Sequence, residues 1–275
     1  MNGNKKQVKV AILDLYEGVA NQGMRCIREI LNQYSETQAL DLEVKEFEVR
    51  IEKQVPGLDH DIYISSGGPG SPLDTEGMEW EKVYFDWLKR IEKYNANEGN
   101  QQKKQVFFIC HSFQLVCRHY KIADVTRRKS TAFGVFPIHT SSSAENEPIF
   151  EGLKDPFYAV DSRDFQVIQP HQNTLKKMGA SILAIEKARP HVAYERAVMA
   201  IRFNDNMIGT QFHPEADAIG MSRYLQTEEK KKTVIENHGI EKWRSMIEHL
   251  NDPDKIMSTY AHILPNFLNT ALSRL

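Results

Sequence analysis

Val106-Phe107-Phe108-Ile109-Cys110-His111-Ser112-Phe113-Gln114 is the stretch on which the reading of this chain turns. Apolar, β-prone residues run up to a cysteine, and the pattern then changes at once. Phe113, Val116, Cys117 and Tyr120 recur at helical spacing, so a buried strand ends at Cys110 and passes directly into a helix. A nucleophile at such a corner is lifted out of the sheet beside the first free N–H groups of the helix. Those groups and the helix dipole favour thiolate over thiol. The pattern is that of a nucleophile elbow carrying sulfur. Taken alone, a cysteine at the end of an apolar strand also reads as a small buried hydrophobe.

The chain around this stretch has 275 residues, enough for one large domain or one and a half with ample core. Lys and Arg number 35 against 37 Asp and Glu, a net charge of −2 that points to neither nucleic acid nor an anionic membrane. No apolar run approaches membrane-spanning length. Met1–Lys6 lacks the apolar core of a signal peptide and leads straight into a strand. Cys26, Cys110 and Cys117 form no CxxC pair and no even framework, which fits a reducing, cytoplasmic setting.

Outward from the centre, Val8–Asp14, Leu42–Val49 and Asp61–Ser65 read as strands, and Gly23–Tyr34 and Trp80–Tyr94 as amphipathic helices. Strands alternating with helices predict right-handed βαβ units and a three-layer α/β sandwich. Beyond the central helix the character changes. Phe133–His139, Phe157–Val160, Phe165–Ile168, Ser181–Glu186 and Val198–Phe203 read as short strands with few helices, an antiparallel extension that makes the sheet mixed. Ile208–Phe212 is one more strand. From residue 216 the chain turns helical and charged, with helices expected over Ser222–Asn237, Ile240–Leu250 and from Pro253 onward, punctuated by Gly239 and Pro253. The expected division is a domain over 1–215 and a C-terminal helical extension over 216–275 packed on it. Apolar stripes through Trp243, Met246, Leu250, Ile263 and Phe267 require cover.

A thiolate needs a base, and the base an orienting group. His213-Pro214-Glu215 follows a strand. Residues two apart in extended chain point the same way, so the carboxylate can reach the imidazole. Both lie at the C-terminal sheet edge with Cys110, where open α/β folds place their sites. Gly67-Gly68-Pro69-Gly70 can aim backbone N–H groups at an oxyanion because no Cβ blocks the approach. Each string has an ordinary reading as well: a surface turn for the first, a tight turn for the second. A pyrophosphatase loop is disfavoured because Gly70 stands where its aspartate belongs.

Together these residues resemble the class I glutamine amidotransferases, in the manner of a GMP synthetase glutaminase domain. The match is Gly-Gly-Pro-Gly at 67–70, Cys110 with Gln114, and Gly209-x-Gln211-Phe212-His213-Pro214-Glu215, over about residues 8–215. The resemblance implies a flavodoxin-like sandwich and a Cys110–His213–Glu215 triad that hydrolyses the glutamine side-chain amide through a γ-glutamyl thioester. It implies an oxyanion hole from the backbone of Gly68 and His111, and substrate contacts from Gln114, Ser162 and Arg163. No cofactor is implied. Two departures stand out. Phe108 and Ser112 replace glycines usual two residues before and after the nucleophile, where a larger group could tilt the helix or narrow the pocket. Arg163 replaces a usual histidine.

Homoserine acyltransferases resemble the chain at the aromatic-Ile-Cys approach and at Phe133-Gly134-Val135-Phe136, and use the same triad types with an acyl-CoA. The intact glycine turn and Gln-Phe-His-Pro-Glu favour the amidotransferase. A binding or regulatory protein on an inactive scaffold is the third reading, and the complete triad opposes it. The ten histidines form no HExxH or HxH arrangement, so no metal site is expected. Arg127–Lys129 reads as a solvated loop triplet and Lys230–Lys232 as an exposed helix face. The ammonia acceptor is expected from a separate synthetase subunit, or the protein acts as a stand-alone hydrolase.

Overall fold

The central strand β4 (Gln105–Ile109) is buried at every position. It pairs in parallel with β3 (Ile62–Ser65) on one side and β9 (Met207–Thr210) on the other. A strand with no exposed face needs cover on both sides, and its alternating side chains define the two layers. The computed structural model describes residues 7–19, 21–188, 195–250, 252 and 255–275. The expectations placed on Met1–Lys6 and on Pro253 lie outside those residues.

Phe107 and Ile109 point into a core shared with α1 (Gln22–Gln38) and α8 (Ile256–Ser273). Val106 and Phe108 point into a second core, with α2 (Glu79–Ala96), α3 (His111–Tyr120) and α4 (Gln172–Met178). The three layers expected from the pattern are therefore present. β1 (Gln7–Asp14) and β2 (Asp41–Glu48) complete the parallel half. β5 (Asp124–Thr140), β6 (Phe157–Ile168), β7 (Ser181–Glu186) and β8 (Val198–Asn204) form the antiparallel half. The strand order is β2-β1-β3-β4-β9-β8-β7-β5-β6. Mixed order and two covered faces match the flavodoxin-like sandwich.

Three expectations change. Phe157–Val160 and Phe165–Ile168 are one unbroken strand. The polar run between them stays in the sheet because Arg163 Nε bonds the carboxylate of Asp161, two residues back on the same face, at 2.8 and 3.0 Å. Arg127–Lys129 lies within β5 and not in a loop, and the Arg128 guanidinium reaches Glu186 at 3.2 Å. Ser222–Asn237 is two helices, α5 (Ala218–Leu225) and α6 (Glu228–His238). The Thr227 hydroxyl donates to the Tyr224 carbonyl at 2.8 Å and closes α5. The short helix α4 carries no clear apolar period, so its sequence does not announce it.

The residues after 215 are well occupied. Met221 and Leu225 of α5, Val234 of α6, and Met246 and Leu250 of α7 (Ile240–Leu250) form a third cluster over Val160 and the β5 residues Phe133 and Val135. α8 belongs to the first core. Its Phe267 ring meets Phe107 edge-on at 5.1 Å, and the Thr259 hydroxyl donates to the Tyr158 carbonyl at 2.6 Å. Phe267→Ala is therefore expected to lower the unfolding free energy by about 3–5 kcal/mol. Urea denaturation measures this, and an unchanged midpoint would mean that α8 does not seat on the sheet.

Candidate active site

β3, β4 and β9 run parallel, so Gly67, Cys110 and His213 leave the sheet at one edge. Cys110 takes φ 49° and ψ −97°, a conformation rare for any residue with a Cβ. Four bonds hold it there. The Cys110 N–H donates to the Thr210 carbonyl at 2.8 Å, and its own carbonyl accepts from Gln114 N–H at 3.0 Å. The Ser112 hydroxyl accepts from Ile109 N–H at 2.9 Å and donates toward the Ser65 carbonyl at 2.9 Å. Ser112 thus ties the elbow together at a position where the sequence resemblance implies glycine. The other departure, Phe108, lies opposite Gly209 of β9. A Cβ on Gly209 would sit 3.0 Å from both the Cβ and the carbonyl oxygen of Phe108, so the absence of a side chain at Gly209 leaves the room that Phe108 uses.

His213 Nδ1 lies 2.8 Å from Glu215 Oε1, and the Cys110 sulfur, which lies 3.8 Å from the Ser162 carbonyl oxygen, is near enough to act on the ring's charge. The His213 N–H donates to the Val160 carbonyl at 2.9 Å, so β6 carries the histidine. Burial disfavours the imidazolium, but the Glu215 carboxylate and the Cys110 sulfur outweigh it and hold the ring's pKa well above its ordinary value. Glu215 is 1% exposed.

The glycine turn is equally constrained. A Cβ on Gly68 would lie 2.4 Å from the Leu15 carbonyl oxygen, and one on Gly67 3.0 Å from His213 Cε1. Arg50 donates to the Pro69 carbonyl at 2.7 Å while its guanidinium lies over Trp80. Gly68 and His111 both line the cavity, and the first N–H groups of α3 have no acceptor within the helix.

Gln114 Nε2 donates to Gln211 Oε1 at 3.0 Å and to the Phe165 carbonyl at 3.3 Å, and Gln211 Nε2 approaches the Cys110 sulfur at 3.7 Å. Ser162 and Arg163 border the same cavity. The Arg163 guanidinium, however, is turned into the protein against Asp161 and, at 3.6 Å, Glu186, with its side chain 1% exposed. Its charge is neither solvated nor turned to the cavity, the two roles open to an arginine at that position.

Three neighbours of the site carry no assigned role in the sequence reading. Arg50 pins the glycine turn, Gln211 reaches the sulfur, and Tyr16 puts its hydroxyl 3.2 Å from where a Gly67 Cβ would be. Burial, with Glu215 and the Cys110 sulfur nearby, raises the Tyr16 pKa well above 10 and keeps the phenol neutral. Gln211 is visible as part of a motif, whereas nothing in the local sequence marks Tyr16 or Arg50. Among the described residues no group of three or more His, Cys, Asp and Glu could hold a metal ion, and no helix is long and apolar enough to cross a membrane.

A model of the family described as glutamine amidotransferase class-I matches residues 18–228. No curated protein matches the sequence. Among solved structures, the fold is similar to a glutamine amidotransferase from Thermotoga maritima at 15% identity and TM-score 0.66, over 96% of this chain and 98% of that one. A putative GMP synthase subunit from Thermoplasma acidophilum is similar at 16% identity and TM-score 0.54, over 97% and 94%. The glutaminase domain of Trypanosoma brucei CTPS with bound acivicin is similar at 14% identity and TM-score 0.57, over 97% and 94%.

Two outcomes are expected from this geometry. Burial pushes the Cys26 thiol up to about 12 and Cys117 well above its ordinary value, so both stay protonated. A glutamine analogue bearing an electrophile at the γ position should label Cys110 alone, as read by peptide mass spectrometry, and Cys110→Ala should abolish labelling. Equal labelling of Cys117 would overturn the assignment. His111 concerns stability. Burial first, then Arg50 and Arg118, lower its pKa to about 3. A histidine held neutral in the fold gains its proton on unfolding, so its contribution is complete above about pH 6.5 and is lost as pH falls toward 3. His111→Gln should flatten the decline of the unfolding free energy over that window, and identical pH profiles would refute it.

Proposed function

Because the chain belongs to the class I glutamine amidotransferase family, we propose that it hydrolyses the side-chain amide of glutamine through a Cys110 thioester. The observation that carries the reading is His213 Nδ1 at 2.8 Å from Glu215 beside the sulfur of Cys110 in its strained elbow. In this reading the Cys110 sulfur attacks the γ-carbonyl carbon, and the developing oxyanion takes N–H bonds from Gly68 and His111. As the C–N bond breaks, the His213 proton passes to the departing ammonia. Water then loses a proton to His213 and attacks the thioester, releasing glutamate and restoring Cys110. Glu215 keeps the imidazole oriented and stabilises its charged form.

The Gln114 side and the main chain of Ser162 and Arg163, which border the cavity, hold the amino-acid end of the substrate. Arg163 serves through its main chain, since its guanidinium is engaged with Asp161. The ammonia is passed to a separate synthetase subunit or released to solvent. A cytoplasmic setting goes with this reading and suits three unpaired cysteines.

Glutamate release from glutamine by the purified protein tests the proposal. His213→Ala should lower kcat by on the order of 10⁴-fold, and Glu215→Gln by roughly ten- to a hundredfold less, because the histidine moves protons and the carboxylate orients it. A His213→Ala protein with near-normal turnover would remove the triad. Acyl transfer from a CoA thioester without glutamate release would replace the reaction.

A further inference from the structure

The cavity over Cys110 exceeds what a free amino acid fills. It spans about 660 Å³, is open to solvent on one side, and continues past the triad to Thr131 and Phe133 of β5 and to Arg223 and Tyr224 of α5. Pockets of roughly 300–1,000 Å³ ordinarily take ligands of drug size, well beyond the bulk of glutamine. The outer part has a defined wall, since the Phe133 and Tyr224 rings meet edge-on at 5.7 Å.

The charges along the cavity are unequal in what they can do for a ligand. Arg163 is engaged with Asp161, Asp217 with Arg25 at 2.7 Å, and Glu215 with His213. The Asp164 carboxylate accepts from the Thr131 hydroxyl. Arg223 is exposed and, among the described residues, has no hydrogen-bond or ion-pair partner. A guanidinium in that position presents a planar fork that matches a carboxylate.

We propose that the site takes γ-glutamyl amides whose amine carries a carboxylate, as in γ-glutamyl amino acids, and that Arg223 receives that carboxylate. The proposal rests on the Cys110–His213–Glu215 reading above and names its substrate class. The γ-glutamyl end lies against Gln114, and the leaving amine extends along Phe133 and Tyr224 to Arg223. The bonds balance as for glutamine. A C–S bond forms as the C–N bond breaks, the His213 proton goes to the leaving amine nitrogen, and water cleaves the thioester. The products are glutamate and a free amino acid, and water is the one co-reactant.

The test compares the full chain and Arg223→Met on three substrates: γ-glutamylglycine, γ-glutamylethylamide and glutamine. γ-Glutamylethylamide has the alkyl amine without the carboxylate. The wild-type protein is expected to prefer γ-glutamylglycine over γ-glutamylethylamide by about tenfold in kcat/KM, the scale of one charge-assisted contact. Arg223→Met should abolish that preference through the KM of γ-glutamylglycine. Arg223 also sits in the last turn of α5, where a cation suits the helix end. Loss of that role alone would move all three substrates together and would overturn the proposal. So would glutamine turnover without turnover of γ-glutamylglycine, or a preference that survives in the variant. No turnover of any of the three would instead defeat the triad reading on which the proposal stands.

Discussion

The backbone of Cys110 is the constraint on which the site depends. Its φ of 49° with ψ of −97° lies outside the regions that residues with a Cβ ordinarily occupy. Such a conformation costs on the order of 1–3 kcal/mol and persists only where its surroundings over-determine it. Here the surroundings are two parallel neighbours and the first turn of α3. β9 supplies the Thr210 carbonyl, β3 supplies the Ser65 carbonyl through the Ser112 hydroxyl, and Gln114 closes the first helical bond onto Cys110. Shifting any of them would let the cysteine relax into the strand or the helix. The sulfur would then leave the cavity.

That arrangement explains why residues two before and two after Cys110 can be larger than glycine. Crowding at an elbow is a property of the packed neighbourhood. Phe108 finds its room at Gly209, its register partner on β9, and its ring meets Phe203 edge-on at 5.9 Å. Ser112 is accommodated because its hydroxyl gains two partners in a fully buried position, which offsets the burial of a polar group. A compensation of this kind runs between strands about a hundred residues apart in sequence.

The buried charges on the antiparallel side serve the same end. Asp161, Arg163, Glu186 and Arg128 neutralise one another across β5, β6 and β7. Breaking one member would strand its partner's charge in the interior. With the network intact, β6 runs through its polar segment and places Val160 where its carbonyl receives the His213 N–H. The Arg163 charge is thereby used to build the strand. The cavity's open cation comes from α5 instead.

Local pattern determined much of this protein. The apolar alternation around Val106–Ile109, the change to helical period after Cys110, and the i, i+2 spacing of His213 and Glu215 follow from residues close in sequence. So do the parallel half of the sheet and the stripes of α1, α2 and α8. Short-range periodicity reports which face is buried and which side chains share it. It does not report who meets that face. Tertiary structure alone decided that Tyr16 and Arg50 stand at the site, that Gly209 makes room for Phe108, and that Arg163 is held by Asp161. It also decided that β6 is continuous and that Arg223 borders the cavity of Cys110. Each of these depends on contacts between segments tens to hundreds of residues apart, and on polar groups whose cost of burial is set by partners that no local window contains.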